Sequence, residues 1–173
     1  MSHLRIAQDA AMDGLKNYLV FEDDAVLSSD FAERLPKVMA EVGEDWDMIY
    51  FGGQHLLKKG QPAKVEGMEE VIAPMNLNRT HCFAVNGRFF QNFGRHIMHA
   101  PSYIKREKAW HIDHQLGVLH QGAFTGEAPF NGIKIYAVTP WIVGQAAGCS
   151  GISFKAFPER WFQVDPKKIK DSR

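Results

Sequence analysis

The chain has 173 residues, and 20 Lys and Arg balance 20 Asp and Glu, so it carries no net formal charge. That length suits one domain with a real core and leaves two full domains cramped. The neutral balance gives no support for binding nucleic acid or an anionic membrane through bulk charge, and the 45% apolar share argues against disorder.

The opening MSHLRIAQDAAMDG has early acids and no apolar core of signal-peptide length. Leu4, Ile6, Ala7, Ala10 and Ala11 recur at helical spacing, with Gly14 as the stop. Tyr18 to Phe21 reads as a short apolar strand. After an acidic run, Asp30 and Glu33 form a capping-box pattern for a helix through Leu35, Val38 and Met39 to Val42, closed by Gly43. Pro36 in its second turn is a site for a kink. Asp47 to Phe51 is a second strand, closed by Gly52-Gly53, and a polar loop from Gln54 to Gly67 follows. Glu70–Ala73 and Thr80–Val85 read as strands, Asn86-Gly87 as a turn. Arg88 to Met98 is a helix with Phe89, Phe90, Phe93 and Ile97 on one side. A loop around Pro101 leads to a helix over Trp110–His120, and Ile133–Val138 is the last strand. The remainder is Gly-rich, then aromatic, then basic. Strands alternating with helices predict an α/β sheet with helices on its faces, as a single domain over residues 1–165, and a solvated basic tail over 166–173.

No uninterrupted apolar run is long enough to span a bilayer. The two cysteines, Cys82 and Cys149, make no disulfide framework and point to a reducing compartment. The expected location is the cytoplasm, with peripheral association at the inner membrane left open.

The stretch YLVFEDDAVL drives an apolar strand into three consecutive carboxylates, Glu22, Asp23 and Asp24. Strand alternation would point Glu22 and Asp24 together and Asp23 away. Two carboxylates ~5 Å apart repel by about 3 kcal/mol at an effective dielectric of 20. A wet site, a bound proton or a cation between them relieves this, and Mg²⁺ or Mn²⁺ prefers such oxygen ligands. A solvated acidic loop is the plain alternative. The position at the carboxyl end of a strand, where open α/β sheets place their ligands, favours the cation.

The runs SHLRIAQDAAMDGLKNYLVFEDDAVLSSDF, DWDMIYFGG and THCFAVNG, in this order and spacing, resemble the family 25 glycosyltransferases, which include lipopolysaccharide galactosyltransferases and collagen galactosyltransferase domains. Pro140, Gln145 and Ser150-Gly151-Ile152 are similar to the family's closing Pro…Gln…Ser-Asp-Ile pattern, with Gly151 replacing the Asp. The resemblance covers Ser2 to Ser153. It implies a GT-A-like mixed sheet flanked by helices, a nucleotide-sugar donor (a UDP-sugar), a Mn²⁺ or Mg²⁺ ion and inversion at the anomeric carbon. It implies Asp24 as metal ligand and Glu22 on the donor ribose or metal-bound water, so Glu22 counts with both metal and donor. Asp23 falls on the donor sugar, and His81 and Gln145 among the donor contacts. An inverting displacement also needs one general base on the acceptor hydroxyl. Asp113, in His111-Ile112-Asp113-His114, is the candidate; it also suits the N-terminal dipole of its helix. Family members carry a further βαβ-like segment ahead of the Ser-His helix. The sheet is therefore expected to be N-terminally shortened, with an exposed edge that invites a second copy of the chain.

Other residues stay open between roles. Gly52 and Gly53 permit close approach of the donor or simply end a strand. His111 and His114 are three apart without a further zinc ligand at a familiar spacing. His3 reads as a packing residue and His55 as site-lining without a role. The four tryptophans are mainly core or rim, one of them a candidate sugar-stacking ring. The expected function is transfer of a hexose, galactose by the resemblance, to a bacterial surface glycan. A non-catalytic remnant that binds a carbohydrate or protein partner is one rival; a metal-dependent hydrolase is the other.

Overall fold

A computed structural model of the chain describes residues 2–99, 111–149 and 156–171. Helix α1 (Ser2–Met12) ends at Gly14, whose φ of 65° turns the chain back so that the Leu15 N–H donates to the Ala10 carbonyl at 3.0 Å. Strand β1 (Asn17–Phe21) follows, then a turn over Glu22–Ala25 into the short strand β2 (Ala25–Leu27). Helix α2 (Phe31–Val42) contains Pro36 and stops at Gly43, φ 62°, as the sequence implied. The expected capping box does not form. Asp30 sits at φ −98°, ψ 6° and bonds no helix N–H through its side chain. A capping side chain needs an extended cap residue to swing over the helix end. Glu33 instead pairs with Lys37 one turn on, at 2.7 Å.

Strand β3 (Met48–His55) continues through Gly52-Gly53 rather than ending there, with shifts of register against β6 on either side of Gly52. The expected loop after it holds a 3-10 turn at Leu57–Lys59 and strand β4 (Ala63–Lys64). Strands β5 (Val71–Ala73) and β6 (Leu77–Asn86) come next, then a 3-10 turn and helix α3 (Phe90–His99). Helix α4 (Ile112–Thr125) extends five residues past the expected end at His120 and stops at Gly126. The loop at Pro101 and Trp110 lie outside the described residues. Strand β7 (Ile135–Val138) precedes β8 (Val143–Gln145), β9 (Gly148–Cys149) and β10 (Ala156–Phe157).

The main sheet has the order β1-β6-β3-β7-β5-β4. Adjacent pairs are antiparallel except β3–β7. Because β1 and β3 both oppose β6, strands β1, β3 and β7 point the same way and their carboxyl ends gather on one side. The strands alternate faces. Met48, Tyr50, Phe83 and Val85 meet α1, α3 and α4 through Ala7, Ala10, Phe90, Phe93, Leu116 and Leu119. Ile49, Phe51, Cys82 and Ala84 meet Val38, Val42 and Trp46 from α2 and the turn after it. The result is a three-layer α/β/α domain with a mixed sheet. Cys82 is a buried free thiol whose pKa burial raises, so it is an inert core residue. No helix among the described residues is long and apolar enough to cross a membrane.

The two sheet edges differ. At β4, the chain from Pro166 onward docks: the Lys170 N–H donates to the Pro62 carbonyl (2.9 Å) and the Lys64 N–H to the Lys170 carbonyl (2.9 Å). The basic run is thus not a free tail; its backbone caps an edge while its lysines face solvent. At β1, the Glu22 N–H and the Lys16 carbonyl turn inward, bonding the His81 carbonyl and the Gly87 N–H. By strand alternation the backbone groups of Asn17, Leu19 and Phe21 face outward, and the Leu19 and Phe21 side chains are 41% and 44% exposed.

Candidate active site

The site grows from the end of β1. Pairing of Phe21 with Cys82 puts Glu22 beside His81, and the Glu22 N–H donates to the His81 carbonyl at 2.9 Å. The turn closed by the Ala25 N–H on the Glu22 carbonyl then swings Asp24 back over the strand end. The outcome is a cluster: one carboxylate oxygen each from Glu22 and Asp24 and one ring nitrogen of His81 lie within 4.8 Å of one another. Asp23 points into solvent and stays outside this group. Alternation foresaw the Glu22–Asp24 pairing, though a turn rather than a strand produces it.

The cluster is only partly satisfied. Gln145 Nε2 donates to Asp24 Oδ2 at 2.7 Å, while Asp24 Oδ1 is buried with no hydrogen-bond partner among the described residues. His81 is 1% exposed, and neither ring nitrogen has a partner there. Its ring stacks on Phe162, with centroids 5.8 Å apart and planes 24° apart. Burial lowers the His81 pKa, against the pull of the Asp24 charge, so the imidazole is neutral at pH 7. A buried polar atom left unpaired costs about 1–3 kcal/mol, and Asp24 and His81 hold three such atoms between them.

One basic group, Arg79, is linked to the acids, and a second, Arg160, stands near it. Arg79, held at φ 67°, donates to Gln145 Oε1 (3.0 Å) and Gln54 Oε1 (3.0 Å), and its guanidinium lies 4.4 Å from the Phe162 ring centre. Asp24, Gln145, Arg79 and Gln54 thus form one relay of hydrogen bonds. Burial and the nearby Arg160 charge lower the Arg79 pKa. The Gln145 backbone pairs with Arg160 in both directions, at 2.8 and 2.9 Å. Asp113 stands half-buried in the first turn of α4, and its charge acts on His3, His81 and Arg79, which places it at this same end.

Gly52 and Gly53 serve packing. A Cβ on Gly52 would sit 2.3 Å from the Val143 carbonyl oxygen, and one on Gly53 3.3 Å from the Arg79 carbonyl. The close approach that Gly52 allows is used by the backbone of β8. His55 is likewise a core residue, stacked on Trp141 with centroids 5.1 Å apart. His3 packs 5.5 Å from Phe83. His111 and His114 approach one another ring to ring at 5.8 Å and belong to no three-residue ligand cluster among the described residues. The basic neighbours Arg79 and Arg160 carry no motif in the sequence. Only the pairing of Gln145 with Arg160 and the position of Arg79 on β6 bring them to the acids.

A mixed sheet between helix layers, with two carboxylates gathered past the carboxyl end of β1, is the build of a nucleotide-sugar transferase. The family model described as glycosyltransferase family 25 (LPS biosynthesis protein) matches residues 1–115, about two thirds of the sequence. The chain belongs to that family. Among its relatives, a bovine protein named a probable inactive glycosyltransferase 25 family member 3 is 36% identical over 76 residues, 42% of this chain and 13% of that protein. The human inactive glycosyltransferase 25 family member 3 is 35% identical over 75 residues, 42% of this chain and 12% of that one. The chain thus matches about an eighth of the length of these curated relatives.

Proposed function

We propose that the domain is a metal-dependent inverting glycosyltransferase, moving a hexose, galactose by family resemblance, from a UDP-sugar to a surface-glycan acceptor. The observation that carries this reading is the convergence of Glu22, Asp24 and His81, where buried atoms of Asp24 and His81 are left without a hydrogen-bond partner among the described residues. Two carboxylates and a neutral imidazole are a donor set that fits a divalent cation. Bound there, the cation would offset charge on the donor diphosphate as the sugar–phosphate bond breaks.

The chain's own residues have distinct tasks. Asp24 and Glu22 would hold the cation, and Gln145 fixes one oxygen of Asp24 and leaves the other without a partner among the described residues. Arg79 and Arg160 supply positive charge beside the acids, suited to the donor's phosphates. Asp113 accepts the proton of the acceptor hydroxyl. Asp23, exposed at the rim, reaches the donor sugar. A second copy pairing along the β1 edge completes the set of partners. The edge matches itself, since an antiparallel pair centred on Leu19 sets every outward N–H opposite a carbonyl, Leu19 beside its own copy and Tyr18 beside Val20.

A second reading has its own support: relatives in this family carry names that call them inactive. In that case the domain keeps the shape and binds a glycan or protein without transfer. Calorimetry with UDP-galactose, with and without Mn²⁺, combined with product analysis on a glycan acceptor, separates the two. Transfer requires Mn²⁺-dependent donor binding that is lost in Asp24→Ala and a sugar linked to acceptor. Absence of both leaves the non-catalytic reading, and free galactose alone marks a hydrolase.

A further inference from the structure

The sequence offers oxygen ligands for the cation, but the structure adds a nitrogen. His81 sits on β6, a strand the acidic turn reaches only through the antiparallel β1–β6 pairing. Its ring is 1% exposed, both nitrogens lack partners among the described residues, and one of them lies within 4.8 Å of the Glu22 and Asp24 oxygens. An imidazole buried this way loses its hydrogen bonds to water and gains none from the protein. The stack on Phe162 holds the ring plane without using either nitrogen. A cation between the three side chains would take the lone pair of one nitrogen and a carboxylate oxygen of Asp24 together.

We infer that His81 is the third protein ligand of the cation, and that this nitrogen makes the site select a first-row transition ion such as Mn²⁺ over Mg²⁺ and Ca²⁺. The inference rests on reading the cluster as a cation site. Its logic is ligand softness. Carboxylates and water bind Mg²⁺, Ca²⁺ and Mn²⁺ with little distinction, whereas imidazole favours the transition ions. Octahedral donors at about 2.1 Å from an ion stand roughly 3–4 Å apart. The three atoms therefore need only a small inward movement, within the reach of side-chain torsions.

The test uses the whole chain with Mn²⁺, Mg²⁺ and Ca²⁺ as probes, without donor. Calorimetry is expected to show Mn²⁺ binding more than about tenfold tighter than Mg²⁺ or Ca²⁺. Pulsed EPR of the Mn²⁺ form is expected to show nitrogen coupling from a directly bound imidazole. This readout needs no variant and so survives any loss of folding on mutation. His81→Gln, which replaces the nitrogen by an amide oxygen, is expected to abolish the coupling and bring the ion affinities within about threefold of one another. Mn²⁺ bound without nitrogen coupling, or with equal affinity to Mg²⁺, overturns the role of His81 and leaves a carboxylate cation site standing. If none of the ions binds, the cation reading fails and the inference with it.

Discussion

Asp47, just ahead of β3, and Asp24, just past the end of β1, are both carboxylates drawn in from solvent at strand ends, on opposite sides of the sheet. Asp47 is answered on both oxygens: Arg88 Nε donates to Oδ1 at 2.9 Å and the Lys134 N–H to Oδ2 at 2.7 Å. Its backbone is tied as well, through the Lys134 carbonyl and the Asn86 N–H. The neighbouring Asp45 binds Arg88 and Lys134 from outside. Asp24 has one amide donor, an orphan oxygen, a second carboxylate and a neutral imidazole beside it. One end spends its charges on holding the fold. The other keeps them unspent, at a cost in stability that a ligand would recover.

The largest expected effect lies at the unspent end and is kinetic. Asp113→Asn should lower turnover by about 10²–10⁴-fold, the range for loss of a general base, while Mn²⁺-dependent donor affinity stays within a few-fold. Single-turnover transfer assays beside calorimetry read both quantities; loss of donor binding would show that Asp113 shapes the pocket instead.

Acid should weaken the whole domain. Burial lowers the pKa of His120 to about 3 and of His55 to about 4. In the unfolded chain both titrate near 6.5, so between these values the unfolded state binds more protons and stability falls as pH falls. From pH 7 to pH 5 each contributes about 2 kcal/mol of loss, roughly 4 together, on the scale of about 1.4 kcal/mol per pH unit. Urea denaturation at the two pH values measures it. His55→Phe, which keeps the stack on Trp141, should remove about half of the slope.

Asp47→Ala and Asp24→Asn test the comparison directly. The first should cost about 1–3 kcal/mol by stranding Arg88 and the Lys134 N–H, and leave donor binding intact in the folded protein. The second should leave the urea midpoint unchanged or raised, because it removes one of two facing charges and keeps an acceptor for Gln145, yet abolish Mn²⁺ binding. If both lower the midpoint equally, the acidic turn is structural. The smallest effect belongs to Asp45→Asn, where two exposed pairs are lost and the urea midpoint should not move measurably.

The main strands and helices were legible because each carries a dense apolar run, unbroken at Met48–Phe51 and at helical spacing at Phe89, Phe90 and Phe93. The acids were legible because charge at the end of an apolar run conflicts with burial. What escaped notice depends on partners distant in sequence. Strands β2 and β8 are three residues each and exist through pairing Ala25–Leu27 with Val143–Gln145. His81 looked like a strand residue with an uncertain contact, because its ligand-like position follows from the turn at Glu22 folding over it. Gly52 stayed open between a donor approach and a strand end for the same reason: nothing local announces that the Val143 carbonyl will press against it. Asp30 failed as a cap because its own backbone torsions, not its residue type, decide where the carboxylate goes.

The fit of Val143 against Gly52 couples the floor of the sheet to its rim. The β2–β8 ribbon bears Gln145, begins one residue after Asp24, and rests on that bare α-carbon with no clearance. A single methyl there would act as a wedge, tipping the ribbon outward and parting Asp24 from His81 while every ligand kept its chemistry. The geometry of the cluster is thus set from beneath, by a residue that never faces it.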